Sequence, residues 1–338
     1  MTTPTPQVPL GTGYGPATTA GEILAGVDLT GRTAIVTGGY SGLGVETVRA
    51  LRAAGASVVV PVRNREKAAE TLAGIDGVRL EPMDLQDPAS VDAFADRFLD
   101  GDRPLHMLIN SAGIMAVPLS HDARGYESHF ATNHLGHFQL TLRLWPALLR
   151  AGGARVVAVS SWGHRQSDII WDDVHFERRP YDPMSAYGQS KTANNLFAVE
   201  LDRRGRDHGV RAFSLHPGRI LTPLVRHTGT DVLRRMGMIG EDGEPLIDPS
   251  RNMKNPQQGA ATSVWCATSP RLDGHGGVYC ENSDIAPFVP EGDDPVAMAE
   301  ERVRTRKSLA FGVMPYSIDP RSATRLWELS EKLTGVLL

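Results

Sequence analysis

Tyr187 and Lys191 stand four positions apart in a stretch whose apolar residues repeat at helical spacing. On a helix, residues at this spacing share one face and lie about 6 Å apart along the axis. The Lys191 ammonium would stabilise the phenolate of Tyr187, because an ordinary tyrosine, with a pKa near ~10, is a poor base at neutral pH. The pair predicts a tyrosine that donates and accepts a proton. The alternative is a solvated helix face, since this spacing is common.

Ser161 is a second candidate for the same chemistry. It follows a predicted strand at residues 155–159, and its hydroxyl is suited to bond the oxygen of a reacting carbonyl. A serine that merely caps the next turn is the alternative. No G-x-S-x-G sequence surrounds it, so we do not expect a hydrolase nucleophile.

Asn133 is a third candidate, inside a segment that is predicted to form one long helix over residues 127–150. Asparagine is a poor helix former, so we expect a functional role such as ordering a water near Lys191. The spacing of the histidines in this segment does not match H-E-x-x-H, so we expect no metal site among His129, His134 and His137.

A strand, a glycine loop and a helix must position a nucleotide near these residues. Residues 33–37 are predicted to form the strand, and residues 45–53 the helix. The intervening glycines allow a tight turn, a close approach to a pyrophosphate and close helix packing, with the phosphates at the helix N-terminus. We expect the nucleotide to contact Gly38, Tyr40, Ser41, Gly42, Leu43 and Gly44.

The residues at the end of the second predicted strand, 57–62, would decide between NAD and NADP(H). An NAD enzyme usually has a carboxylate here for the ribose 2′-hydroxyl. This chain has Arg63 and Asn64 instead, and Arg65 and Lys67 follow. No carboxylate repels a 2′-phosphate, and the planar Arg63 fork suits one. The sequence therefore predicts NADP(H), with a solvated basic turn as the alternative.

Two more predicted strands end in candidate cofactor residues. After residues 78–83, Asp84 and Leu85 would lie near an adenine amine, and after residues 105–109 a run of small residues would pack on the cofactor. This run contributes Asn110, Ala112 and Gly113, and Met115 beyond it would line a pocket. The alternation of strands and helices predicts an α/β fold with a parallel sheet that binds ligands at the carboxyl ends of its strands.

Composition narrows the class of protein. The 338-residue chain is 41% hydrophobic and 22% charged, with a net charge of −4 and a pI near 6.3, which argues against nucleic-acid or anionic-membrane binding. No apolar run approaches about 18 residues and residues 1–10 lack a signal-peptide pattern, so we expect a cytoplasmic protein without a membrane span. Cys266 and Cys280 have no zinc-site spacing.

Taken together and in order, these motifs resemble the short-chain dehydrogenase/reductase family over about residues 30–290. The matching set is Thr37-Gly-x-x-x-Gly-x-Gly44, Asn110-Ser-Ala-Gly113, Asn133, Ser161, Tyr187-x-x-x-Lys191 and Pro217-Gly218. Ser-Gly-Leu-Gly, Pro-Val-Arg-Asn and Asn-His-Leu-Gly-His-Phe resemble its retinol-dehydrogenase-like and WW-domain-oxidoreductase-like branch. The resemblance implies a single Rossmann-type, doubly wound domain with about seven strands and helices on both faces, NADP(H), and interconversion of carbonyls and alcohols.

The resemblance also implies roles. Tyr187 would be the proton donor in reduction, Lys191 would lower its pKa and hold the nicotinamide ribose, and Ser161 would orient the substrate oxygen. Asn133 would anchor a water that leads to Lys191. The residues expected to pack on the nicotinamide are Pro217, Gly218, Ile220 and Thr222.

Length beyond the family core predicts further segments. We expect an N-terminal arm (1–28), a catalytic domain (29–295) with an insertion (162–182) and a lid segment (223–255), and a C-terminal helical extension (296–338). The arm would be flexible or lie on the domain surface. The extension would cover either the substrate cleft or a subunit face, and a homo-oligomer is therefore one of the alternatives.

The insertion and the lid segment predict the substrate. Trp162, His164, Trp171, Arg219 and Leu224 would join Met115 and Ser161 around it. An apolar wall in the lid segment, or alternatively ordinary helix packing, would use Val225, Met236, Met238 and Ile239. These residues predict a bulky, largely apolar ketone or aldehyde. The alternatives are an NADP(H)-binding sensor that does no chemistry and a C=C reductase resembling protochlorophyllide reductase.

Overall fold

A single sheet of eight strands organises the computed structural model, which describes residues 5–226, 228–235, 237–289 and 312–338. The strands are β1 (Thr33–Val36), β2 (Ser57–Val62), β3 (Val78–Pro82), β4 (Met107–Asn110), β5 (Ala154–Val159), β6 (Val210–His216), β7 (Val278–Glu281) and β8 (Asp284–Ile285). Their order is β3-β2-β1-β4-β5-β6-β7-β8, and only the β7–β8 pairing is antiparallel. The predicted Rossmann-type α/β fold is confirmed, with a two-residue strand beyond the expected seven.

Helices cover both faces of the sheet. They are α1 (Ala20–Ile23), α2 (Leu43–Ala53), α3 (Arg65–Thr71), α4 (Pro88–Leu99), α5 (Gly136–Arg143), α6 (Trp145–Arg150), α7 (Pro183–Gly205), α8 (Thr230–Arg235), α9 (Pro256–Thr268) and α10 (Pro320–Thr334). A π-helical turn spans Phe130–Leu135. Single 3₁₀ turns span Trp162–Gln166, Arg206–His208, Pro223–Val225, Pro249–Arg251, Pro270–Leu272 and Pro315–Ile318.

Alternation along the strands separates two layers of core. In β1, Ala34 and Val36 belong to the apolar cluster under α2 and α9, whereas Ile35 between them faces the cluster under α4, α5 and α7. Successive side chains of a strand point to opposite faces, and a parallel sheet is covered on both. The continuous apolar strands of the sequence follow from this double burial.

Helix α7 carries the Tyr187 and Lys191 pair through the interior. Asp182 caps its first turn by accepting a bond from the Ser185 amide (2.7 Å), and Pro183 occupies the first helical position. Most of its residues are buried, because it packs between strands β5 and β6 on one side and α10 and the π-helical turn on the other. Burial on nearly all sides holds both side chains in place.

The predicted single helix over residues 127–150 is wrong, because the structure divides it into the π-helical turn, α5 and α6. Pro146 lies at the start of α6 and has no N–H to donate to the preceding turn, so the helix breaks at Leu144. The π-helical turn contains Asn133, and such turns are frequent at functional sites.

Both ends of the chain pack on the domain. The Gln7 amide donates to the Tyr279 and Ala286 carbonyls (2.7 and 2.6 Å), so this part of the predicted arm lies on the surface. In α10, the Trp327 ring stacks on Phe197 of α7 with centroids 6.0 Å apart. Parts of the predicted arm, catalytic domain and extension, namely residues 1–4 and 290–311, lie outside the described residues.

Candidate active site

A cleft of about 620 Å³ opens at the carboxyl ends of the parallel strands. Residues 38 and 40–44 with Arg63 line what we call its glycine-loop end, and Met115, Met184 and Met238 line what we call its methionine end. The structure brings these predicted site residues into the cleft wall: Gly38, Tyr40, Ser41, Gly42, Leu43, Gly44, Arg63, Asp84, Leu85, Ala112, Gly113, Met115, Ser161, Trp162, Tyr187, Lys191, Pro217, Gly218, Arg219, Ile220, Thr222 and Leu224.

The glycine loop follows β1 and turns directly into α2. Gly38 has a φ of +67°, and a Cβ there would lie 2.9 Å from the Cα of Ala112. Glycine alone combines that conformation with that approach. Gly42 caps α2, so the first amides of this helix have no carbonyl of their own helix to bind. Such a helix N-terminus suits the phosphates of a nucleotide.

Charged residues at the end of β2 lie at the glycine-loop end. Arg63 Nη1 stands 3.9 Å from Asp84 Oδ2, and both side chains are exposed, so this ion pair is weak. Lys67 also lines the cleft. The Arg65 guanidinium donates to the Leu80 carbonyl instead (2.9 Å) and lies outside the cleft wall.

Two predicted cofactor residues have supporting positions instead of cleft positions. Asn64 caps α3 by accepting a bond from the Lys67 amide (2.9 Å). Asn110 is buried at the end of β4 and donates to the Thr141 hydroxyl (3.3 Å). Each side chain is turned away from the cleft because a backbone or hydroxyl partner holds it there.

Lys191 points along α7 toward Tyr187. Its Nζ lies 5.6 Å from the centre of the Tyr187 ring and donates to the Val159 carbonyl (3.0 Å). Burial lowers the pKa of Lys191 to about 8, because the charged form is poorly solvated there. The ammonium is therefore close to its titration point at physiological pH.

The Tyr187 phenol is buried and hydrogen-bonded to Ser161. Burial raises the pKa of Tyr187 to about 12, although the Ser161 bond acts in the opposite direction. The pKa of Tyr187 is therefore raised in this structure, in the direction opposite to the lowering expected from Lys191. The Ser161 oxygen also accepts from the Gly163 amide (3.0 Å), which fixes the hydroxyl beside the phenol.

Asn133 lies directly behind the cleft wall. Its Oδ1 accepts from the Ile114 amide (2.9 Å), and its Nδ2 donates to the Ile114 carbonyl (3.1 Å) and the Ser190 hydroxyl (2.9 Å). A Cβ on Gly113 would lie 3.1 Å from Asn133 Oδ1 and 3.6 Å from Lys191 Nζ. Gly113 therefore lies between the Asn133 side chain and the Lys191 ammonium.

The methionine end is mainly apolar. Met115 packs with Val225 and Met238 of the predicted lid segment in one cluster, together with Leu221, Leu233 and Met253. Ile239 is buried nearby but does not line the cleft, and Met236 lies outside the described residues. Polar residues of the described chain that also line the cleft include Gln166, Arg219 and Arg226.

The prediction that His164 and Trp171 line the substrate pocket is wrong. The buried His164 donates to the Ser161 carbonyl through Nδ1 (2.7 Å), and its Nε2 accepts from the Met314 amide (3.3 Å). Trp171 lies beneath the Arg325 guanidinium of α10, 4.4 Å from ring centre to Cζ. The insertion folds back onto the C-terminal part of the chain, so most of it does not reach the cleft.

Sequence reasoning missed several residues of the cleft wall. These are Thr37, Pro61, Lys67, Met83, Gln86, Ser111, Ile114, Thr132, Val159, Ser160, Gly163, Gln166, Met184, His216, Pro223 and Arg226. Many adjoin a motif residue at a strand end, so their position in the chain was a usable signal. Gln166 and Met184 lack that signal and reach the wall through the fold of the insertion and α7.

The three histidines near Asn133 have other partners. His129 Nδ1 lies 2.7 Å from Glu127 Oε1, His134 Nε2 lies 2.7 Å from the Ser330 hydroxyl, and His137 Nε2 lies 2.8 Å from the Thr37 hydroxyl. In the described ranges no group of three or more His, Cys, Asp or Glu residues is arranged to hold a metal ion. Nor does any helix in these ranges have the length and apolar character to cross a membrane.

Comparison with known proteins is consistent with this site. The family model of the short chain dehydrogenases matches residues 32–232, from the glycine loop through the Tyr187 and Lys191 pair. A probable oxidoreductase of Streptomyces lividans is 45% identical over 308 residues, covering 89% of this chain and 97% of its own. Human WW domain-containing oxidoreductase is 36% identical over 333 residues, covering 95% of this chain and 72% of its own.

Among solved structures, an uncharacterised protein of Mycobacterium paratuberculosis superposes with a TM-score of 0.68 at 32% identity. The match covers 95% of this chain and 98% of that chain.

Proposed function

The chain is an oxidoreductase of the short-chain dehydrogenase/reductase family, in the branch of the WW domain-containing oxidoreductases, and on that premise we propose that it interconverts a bulky, largely apolar ketone or aldehyde and its alcohol with NADP(H). The observation that carries the proposal is the buried Tyr187 phenol, hydrogen-bonded to Ser161 with Lys191 on the same helix face. These groups converge on one point of the cleft wall.

NADP(H) fits the glycine-loop end. The α2 N-terminus would hold the pyrophosphate, and Arg63 with Lys67 would hold the ribose 2′-phosphate. Asp84 pairs only weakly with Arg63, so a phosphate can displace it. Leu85, Gly113 and Ile220 offer apolar and small surfaces along the rest of the cleft. When bound, the nicotinamide supplies or accepts the hydride.

The chain's own residues handle the proton. Ser161 would orient the carbonyl oxygen toward the Tyr187 hydroxyl, which would donate a proton to it in reduction and accept one in oxidation. Lys191 would favour the phenolate form electrostatically, against the burial that raises the Tyr187 pKa. Asn133 would hold the backbone at Ile114 and so fix the adjacent Gly113, which lies close to Lys191 Nζ.

The substrate class follows from the methionine end. Thioether and aliphatic side chains line it, and methionine adapts its shape to irregular apolar ligands. Such a wall favours a ketone or aldehyde with a large hydrocarbon or aromatic body over a small polar one.

The test follows NADPH and NADH absorbance while the purified protein meets bulky aromatic and aliphatic ketones and aldehydes. We expect turnover with NADPH and a preference for large apolar substrates. Tight NADPH binding without turnover of any carbonyl would favour the sensor function, and turnover confined to activated C=C bonds would favour the C=C reductase. Failure to bind either nucleotide would contradict the proposal at its base.

A further inference from the structure

A short segment after β4, residues 114–117, contributes Ile114 and Met115 to the cleft lining, and we call this segment the wall. Its first residue, Ile114, is held at both backbone groups by the Asn133 side chain (2.9 and 3.1 Å). Met115 follows and packs against Val225 and Met238. The position of this wall thus decides where the Met115 side chain stands in the cleft.

The last residue of the wall, Val117, is also held at both backbone groups. Its amide donates to His129 Nε2 (3.4 Å), and its carbonyl accepts from the Tyr181 hydroxyl (3.0 Å). His129 precedes the π-helical turn, and Tyr181 ends the insertion just before α7. Two side chains from distant parts of the chain therefore clamp one residue of the wall.

A buried carboxylate orients this clamp. Glu127 is fully buried, and its Oε1 lies 2.7 Å from His129 Nδ1, so that nitrogen carries the proton and Nε2 is left to accept the Val117 amide. Glu127 also accepts the backbone amides of His129 (2.9 Å) and Phe130 (2.8 Å). These bonds satisfy a carboxylate that would otherwise be costly to bury.

The clamped wall contains a strained residue. Ala116 has a φ of +53°, in the left-handed region that residues with a Cβ rarely adopt. Pro118 restricts Val117 to extended conformations, so the strain cannot relax in that direction. A conformation of this kind persists only when neighbouring contacts enforce it, and such residues cluster at functional sites.

We propose that Tyr181 and His129, oriented by Glu127, are positioning residues that hold Ala116 in its left-handed conformation and thereby set the place of Met115 in the substrate pocket. The inference rests on the proposed function for the identity of the ligand. It assigns selectivity for the apolar body of the carbonyl compound to residues that do not touch it. Nucleotide binding depends on the opposite end of the cleft, so loss of the clamp should leave the affinity for the nucleotide nearly unchanged.

The first test is Tyr181→Phe, which removes a single hydroxyl. This hydroxyl contacts the Val117 carbonyl (3.0 Å), Glu127 Oε1 (3.3 Å) and His129 Nδ1 (3.2 Å), so its loss loosens the whole clamp. We expect the KM for the carbonyl substrate to rise about threefold to tenfold, with the KM for NADPH within about twofold. The matched control is Tyr126→Phe, whose half-buried hydroxyl donates to the Leu333 carbonyl of the C-terminal part (3.2 Å). An unchanged carbonyl KM in Tyr181→Phe, or an equal rise for both ligands, would overturn the proposal.

The second test is rescue. Glycine adopts positive φ without strain, so Ala116→Gly should need less support from the clamp. We expect the carbonyl KM of the double variant Tyr181→Phe, Ala116→Gly to lie between that of Tyr181→Phe and that of the native chain. No recovery would show that the clamp does not act through Ala116, because a merely structural loss of the hydroxyl would not respond to this change.

Amide hydrogen exchange separates this inference from the proposed function. We expect the amides of residues 115–117 to exchange faster in Tyr181→Phe than in the native chain and in Tyr126→Phe, whether or not any carbonyl turns over. Equal exchange rates in all three proteins would contradict the clamp proposal but would not bear on the proposed oxidoreductase function. Faster exchange in Tyr181→Phe, together with no turnover of any carbonyl by the native chain, would support the clamp and contradict the proposed function.

Discussion

At the glycine-loop end of the cleft each wall is a short run of residues directly after a strand, whereas at the methionine end the walls come from segments far apart in the chain. The first end is formed by the residues after β1, β2 and β4. The second combines Met115, Met184 and Met238, which follow β4, begin α7 and lie in the lid segment.

The two ends also differ in what supports them. The glycine loop rests on the neighbouring strand end, where Gly38 meets Ala112. The loop after Ser161 rests on the distant residues Met314 and Tyr316, which bond His164 at 3.3 and 2.8 Å. The proposed nucleotide site is therefore local to the edge of the sheet, whereas the proposed substrate side depends on how the C-terminal part of the chain folds back.

Tyr187→Phe should have the largest effect, because it removes the proton donor where the two ends meet. We expect kcat to fall about 100- to 10,000-fold, the usual contribution of general acid catalysis. NADPH binding, measured by fluorescence titration, should stay close to the native value. A variant that keeps full turnover would sink the proposed proton transfer, since phenylalanine has no proton to give.

Arg63→Ala should affect the glycine-loop end alone. We expect NADPH affinity to fall about tenfold or more while NADH affinity hardly changes, because a charge-assisted bond to phosphate is worth about 1.5–3 kcal/mol. Arg65→Ala is the matched control, since this neighbouring guanidinium bonds the Leu80 carbonyl outside the cleft. If the preference for NADPH survives in Arg63→Ala, another group selects the nucleotide.

Two tryptophans of the insertion test which of its residues act at the methionine end of the cleft. Trp162 lines the cleft, so Trp162→Leu should raise the carbonyl KM several-fold with little change for NADPH. Trp171 packs under Arg325, so Trp171→Leu should leave both KM values alone and lower the free energy of unfolding by about 1–2 kcal/mol. Urea unfolding and steady-state kinetics of both variants would reveal a reversed pattern.

The smallest expected effect is a pH dependence. Burial lowers the pKa of Lys191 to about 8, so the ammonium loses its proton as the pH rises through that value. We expect the rate of carbonyl reduction to be nearly flat below it and about half-maximal at it. A rate that stays flat to well above that pH would mean that the charge of Lys191 is not needed or is retained in the working complex.

Much of the fold and of the glycine-loop end could be predicted from the sequence. β2 spans the predicted residues 57–62, and the strands predicted at 33–37, 78–83, 105–109 and 155–159 are present with shifted ends. Apolar runs and glycine spacing report directly on a sheet buried on both faces. The break at Pro146 was missed because helical periodicity outweighed a single proline in the interpretation.

The substrate side could not be predicted in the same way. His164 and Trp171 looked like pocket residues because they lie close to Ser161 in the chain, yet both are held by the C-terminal part. Conversely, nothing in the sequence near Tyr181 indicates that its hydroxyl bonds the Val117 carbonyl, 64 positions earlier. Such contacts depend on the path of the insertion, which has no regular period to follow.

By itself the sequence determined the α/β class, the order of the motifs and the position of Tyr187 and Lys191 on one face of a helix, because these depend on residues only a few positions apart. Tertiary structure alone decided that burial raises the pKa of Tyr187 to about 12, and which residues of the insertion face the cleft. Desolvation and long-range packing arise only when distant segments exclude water together, so no short stretch of sequence contains them.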